Sequence, residues 1–296
     1  MNTIEQAKYK FRMANVVEKL IVVNVVVFVL MYLLQVVFFL FEMPLNTISD
    51  WLVFSKDPED LLYKPWSIIT YAFLHQGIFH IFFNMLILYY FGNYFLIYFT
   101  PKRLLNFYFL GAIAGALVYL ISYNFFPVFA GVGRSYMLGA SASVMAILVG
   151  IATKVPNLGV RLILIGTVKL WHIAAVFIVL DLVRMPMGNA GGHLAHLGGA
   201  LLGYLYVKQL DKGNDIGAWW ESLSDRFVGM FSSSSKKKPF RTVHRNTTSR
   251  KTTAKKQDKG DKQKRIDTIL DKISKSGYDS LSKDEKDFLF KSGNED

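Results

Sequence analysis

The sequence contains no cysteine among its 296 residues. That excludes a disulfide framework, a thiolate metal site and a cysteine nucleophile. It also lacks an HExxH zinc signature and any internal repeat of useful period. Charge is scarce outside one segment. Residues 236–265 hold thirteen Lys and Arg against Asp258 and Asp261, so this stretch supplies +11 of the net +12. The basic balance describes an appendage, and the remainder is near neutral.

Apolar residues are abundant, at 52% of the chain with a mean hydropathy of +0.29. This places the chain in the membrane class. Apolar runs of roughly 18–25 residues recur, each long enough to cross a hydrocarbon core of about 30 Å. The first, residues 20–41, is too long for a signal peptide and has no small-residue cleavage site, so a retained transmembrane helix is expected. Five further spans are expected at 77–99, 104–126, 138–153, 159–182 and 191–209, the fourth being short.

Lys and Arg set the expected orientation. Lys8, Lys10, Arg12 and Lys19 precede span one; Lys102 and Arg103 follow span two; Lys154 and Arg161 follow span four; the basic tail follows span six. An even count puts all of them on the cytoplasmic side. The alternate loops carry only Lys56, Lys64, Arg134 and Arg184. The expected fold is an all-α membrane protein, a six-transmembrane-helix bundle with a short fourth helix. Its parts are a cytoplasmic segment 1–19, the bundle 20–210, an amphipathic segment with a basic disordered linker 211–265, and a small helical segment 266–296. Ser282 followed by Glu285 forms a capping box in the last part.

Polar groups inside spans are costly, which makes them functional candidates. His80 and Asn84, at i and i+4, share one face of span two. Spans two, four and six all start at the outer side. His80, Ser141 and His196 therefore fall roughly 5–10 Å below the outer interface, at 1.5 Å per residue. A hydroxyl, an imidazole and an amide–imidazole pair at one level suggest acyl transfer. Serine needs a base to take its proton, and the developing oxyanion needs hydrogen-bond donors.

The motifs HIFFN (His80, Asn84), GASAS (Gly139, Ser141) and AHLGGALLG (His196, Gly199, Gly203) occur in that order on spans two, four and six. Together they resemble the rhomboid family of intramembrane serine proteases, of bacterial type, over residues 60–210. The resemblance implies Ser141 as nucleophile and His196 as general base, a dyad without an aspartate. It places His80, Asn84 and the backbone N–H of Ser141 in the oxyanion hole, and it requires no metal or organic cofactor. Implied substrates are transmembrane proteins cut near the outer face, in an inner (plasma) membrane. Three positions depart from common family patterns: Ala142 replaces a glycine after the nucleophile, Met145 replaces an aromatic, and Ser67 follows Trp66 where arginine is frequent.

Competing readings attach to the same residues. Ser143 lies about 200° from Ser141 on a helix and falls in a small-residue stripe with Gly139, Ala146 and Gly150, which reads as packing. His193 and His196 could bind a metal with His80 or His75, but no carboxylate is expected at that depth. Asp181 is expected at the interface, and Asn24 and Gln35 as packing groups in span one. His80 and Asn84 could be a structural pair. The basic tail fits attraction to anionic membrane lipid, and no nucleic acid is expected, since Phe240 is the one aromatic ring of Phe, Tyr or Trp in the run. The C-terminal segment fits binding of a partner whose identity is unknown. The alternative to the protease is a catalytically silent relative that binds or routes membrane clients.

Overall fold

The structure, a computed structural model, describes residues 2–162, 166–231 and 254–293. The chain divides into two units, Met1–Ser233 and Ser234–Asp296. The expected disordered linker lies largely in 232–253, outside the described residues.

The first unit is a helical membrane bundle. A short helix α1 (Thr3–Met13) precedes α2 (Val16–Leu40), which Asn15 and Glu18 open with a capping box. Then follow α3 (Ile78–Tyr98), α4 (Pro101–Phe125), α5 (Ser141–Lys154), α6 (Leu170–Arg184), α7 (Ala190–Asp211) and α8 (Ala218–Phe231). Among the described residues, α2, α3, α4 and the segment Leu170–Met187 are long and apolar enough to cross a membrane, while α5 is a shorter apolar helix. Most of α2 is exposed; only Val17, Leu20 and Asn24 are buried. A helix apolar all round with one thin buried edge is suited to lipid contact.

The expected fifth span, 159–182, is corrected. Two strands, β3 (Gly159–Leu162) and β4 (Gly166–Lys169), pair antiparallel with Gly159 opposite Lys169, and α6 starts only at Leu170. Val160, Thr167 and Val168 are β-branched and suit paired strands. An apolar run does not by itself separate strand from helix. Two earlier strands, β1 (Phe54–Ser55) and β2 (Tyr136–Met137), also pair antiparallel and tie the first long loop to the chain entering α5.

Helix α5 forms the centre of the bundle, with every residue from Ala142 to Ala152 buried. Its small side chains allow this. On one side, a Cβ placed on Gly111 of α4 would lie 2.7 Å from the Ala146 Cβ and 3.1 Å from the Ser143 Cα. On the other, Gly199 and Gly203 of α7 lie directly against the backbones of Ala142 and Ala146. Close backbone approach through small residues is the usual way membrane helices pack.

Ser143, Ala146 and Gly150 thus face α4, as the packing stripe requires. Gly139 does not belong to it, because α5 begins only at Ser141. Ser143 is fully buried and its Oγ has no hydrogen-bond partner among the described residues. Replacing a buried, unsatisfied hydroxyl by a methyl removes a penalty of about 1–3 kcal/mol. Ser143→Ala is therefore expected to leave stability unchanged or raise it by about 1 kcal/mol. Detergent-titrated unfolding measures this, and a clear loss of stability would contradict the assignment.

Polar ties lock the remaining helices. Asn24 is fully buried; its Nδ2 donates to the Leu20 carbonyl and to Tyr108 Oη (3.1 Å), and the Tyr108 hydroxyl donates to the Ala72 carbonyl. This satisfies Asn24 as a packing group. Near the start of α4, Asn106 Nδ2 donates to Tyr206 Oη and to Glu221, and the Tyr206 hydroxyl donates to Asp215. The Tyr206 ring stacks on Phe107 at 4.4 Å. Such fully partnered networks offset the cost of burying polar atoms.

In the second unit, α9 (Ala254–Ser276) and α10 (Lys283–Gly293) enclose a short turn, with Ile269 and Leu281 buried. Ser282 and Glu285 make the capping box at the start of α10: Ser282 N–H donates to Glu285, and Glu285 N–H to Ser282 Oγ. The Ser282 backbone N–H, together with the Lys272 ammonium, holds the Glu285 carboxyl below its usual range.

Candidate active site

The chain reaches Ser141 through a pinned approach. Tyr71 is buried beneath it, donating its hydroxyl to the Ala112 carbonyl and accepting the Gly139 N–H on its own carbonyl (3.0 Å). Gly139 has φ +124, a region L side chains rarely adopt. Ser141 is the first residue of α5, and Ala140 before it supplies no side-chain cap. The first turn of a helix has N–H groups without intrahelical partners and carries the positive end of the helix dipole.

A cavity of about 610 Å³ opens at this helix start. His80 and Asn84 from α3, Ser141 and Met145 from α5, and His196 from α7 all line it, with Tyr71, Phe177 and Tyr136. The four polar residues singled out from the sequence thus meet at one cavity. Ser141 Oγ has no hydrogen-bond partner among the described residues, so no direct bond joins it to His196. Such contacts are often loose before substrate binds.

The nitrogen roles of His80 follow from its surroundings. Its Nδ1 accepts a long hydrogen bond (3.4 Å) from the Gln76 backbone N–H. An accepting Nδ1 puts the hydrogen of a neutral ring on Nε2. That edge lies beside Gly139: a Cβ there would come within 2.8 Å of His80 Nε2 and 3.6 Å of Ser141 Oγ. Asn84 uses one amide hydrogen on the His80 carbonyl (2.9 Å) and keeps the other. The cavity therefore presents an imidazole N–H, an amide N–H and a helix N-terminus around one hydroxyl.

Gly139→Ala is expected to strain the backbone by about 1–3 kcal/mol and to push the His80 ring from the cavity. Loss of one such donor lowers turnover by about 10²–10³-fold in acyl transfer. An activity assay beside an unfolding curve checks this, since stability should fall far less than rate.

Asp181 requires a correction. The sequence suggested an interfacial residue and no carboxylate near the histidines. In the structure Asp181 is buried, and its Oδ1 lies 2.8 Å from Nδ1 of His193 and 2.8 Å from Nδ1 of His196. Helices α6 and α7 run antiparallel through a short connection around Met185–Met187, which sets the end of one beside the start of the other. Asp181 and His193 are equidistant in sequence from Met187, and this symmetry was the available signal. One oxygen or nitrogen from each of Asp181, His193 and His196 lies within 4.8 Å of the others, so these three are the residues that could hold a metal.

His75 is buried, and neither ring nitrogen has a hydrogen-bond partner of ordinary geometry among the described residues. It contacts the His80 ring edge-on at 5.1 Å and lines a second cavity of about 320 Å³ beside α2, with Tyr32, Gln35 and Asp50. Met145, at the position of a frequent aromatic, lines the Ser141 cavity.

A bundle whose central helix starts at a polar cavity defines a polytopic helical membrane protein with a buried polar site. Residues 63–210, half of the chain, match the Rhomboid domain family, and the chain belongs to that family. It is 30% identical over 139 residues to Presenilin-associated rhomboid-like protein A, mitochondrial, of Danio rerio, covering 46% of this chain and 35% of that protein. It is 32% identical over 157 residues to RHOMBOID-like protein 12, mitochondrial, of Arabidopsis thaliana, covering 50% of this chain and 47% of that protein. The chain thus spans between about a third and about half of the length of these relatives. Both are named as mitochondrial, and neither supports the bacterial type expected from the sequence. Residues 255–291 match a family of unknown function (DUF6576).

Proposed function

We propose that the protein is an intramembrane serine endopeptidase with Ser141 as nucleophile and His196 as general base. The observation that carries this reading is the convergence of Ser141, His196, His80 and Asn84, from three separate helices, on one cavity. Ser141 Oγ attacks the carbonyl carbon of the scissile peptide as its proton passes to His196. The oxyanion is held by His80, Asn84 and the Ser141 backbone N–H. The C–N bond then breaks as His196 returns the proton to the leaving amine. Water, deprotonated by His196, hydrolyses the acyl-enzyme and frees Ser141.

Substrates are transmembrane segments of other proteins, since the cavity belongs to a bundle embedded in lipid. The bias of Lys and Arg supports both chain ends on the cytoplasmic side of the membrane, with cleavage near the outer face. A fluorophosphonate is expected to label detergent-purified protein covalently, with the adduct on Ser141 by peptide mass mapping. A catalytically silent member that only binds clients would give no adduct and no cleavage of a model transmembrane substrate.

A further inference from the structure

Asp181 accepts at a single oxygen from two imidazoles, each at 2.8 Å. An ionised carboxylate has no hydrogen to donate, so both Nδ1 atoms must carry one. For His196 this decides the whole ring. With its hydrogen on Nδ1, the neutral imidazole keeps a lone pair on Nε2, the only nitrogen left for the cavity it lines. His80 is held the opposite way, with Nδ1 accepting from Gln76 and the hydrogen on Nε2. Two histidines at one cavity are thus set as an acceptor and a donor by what each Nδ1 touches.

We propose that Asp181 is a positioning residue that turns His196 into a proton acceptor for Ser141, and that His193, bound to the same oxygen, anchors the carboxylate. The inference rests on the protease reading above and extends its pair to Ser141, His196 and Asp181. The 2.8 Å separations are those of charge-assisted hydrogen bonds. Zinc bound by the same atoms at about 2.0–2.1 Å would hold nitrogen and oxygen roughly 3.3 Å apart in tetrahedral geometry. Burial of Asp181 strengthens its hold on the ring, because little water competes for the carboxylate.

The test uses the full-length protein in detergent with a fluorogenic transmembrane substrate. Asp181→Asn keeps the shape but offers an amide that can reverse the His196 ring hydrogen. It is expected to lower kcat by up to about 10⁴-fold, the loss such a change produces in a serine triad, with KM altered less than about threefold. Fluorophosphonate labelling of Ser141 should slow in parallel. A kcat within threefold of wild type in folded Asp181→Asn would overturn the proposal. So would loss of activity on chelation with recovery on added Zn²⁺, which would make the cluster a metal site.

Nitrogen-15 spectra of histidine-labelled wild type, with His196 assigned by its absence in His196→Ala, read the hydrogen position without relying on an Asp181 variant. A hydrogen on Nδ1 is expected, and one on Nε2 would overturn the inference. Cleavage by Ser141→Ala at the wild-type rate would sink the protease reading itself, whereas the ring-hydrogen measurement stands independently of it.

Discussion

Ser141→Ala is expected to reduce cleavage by roughly 10⁴–10⁶-fold, the cost of removing the nucleophile from a serine hydrolase. The nearby hydroxyl of Ser143 cannot replace it, because Ser143 is fully buried against α4. The variant should fold normally. Ser141 Oγ has no partner among the described residues to lose, and its side chain borders a cavity already open. Turnover of a model transmembrane substrate, measured beside an unfolding curve, separates the two effects. Near-wild-type turnover in folded protein would remove Ser141 from the chemistry.

The largest effect on stability is expected at Gly199. A methyl there would run into the backbone carbonyl of Ala142, one residue after Ser141, and a backbone carbonyl cannot rotate away as a side chain can. Gly199→Ala is therefore expected to cost about 3 kcal/mol, the upper end for overpacking, and to lower activity as well by moving α5 from α7. Leu201→Ala provides the contrast. Leu201 is largely exposed on the same helix, so its truncation should change stability by less than about 0.5 kcal/mol. Detergent-titrated unfolding of both variants measures the difference, and equal effects would refute the close-approach account.

HIFFN, GASAS and AHLGGALLG pointed to Ser141, His80, Asn84 and His196 before any coordinates, because ionisable and hydroxyl groups stand out in apolar helices. Five of the six expected spans correspond to helices with ends shifted by up to four residues. The fifth corresponds only from Leu170 onward, because residues 159–162 pair with 166–169 as strands, and an apolar window fits strand and helix equally well. Asp181 was misjudged for a related reason. Counting residues from a span end estimates depth along one helix, but says nothing of which neighbouring helix the side chain meets.

What the sequence determined by itself is the class of molecule and the identity of its polar residues. Composition and run length compel membrane insertion, and the rarity of hydrophilic groups in the runs makes each one conspicuous. What only the tertiary structure decided is which atoms meet: the Gln76 N–H at His80 Nδ1, and Asp181 Oδ1 at His196 Nδ1. Periodicity is a property of one helix and can be read along the chain. The state of an imidazole depends on the atom touching its other nitrogen, and that atom arrives through packing.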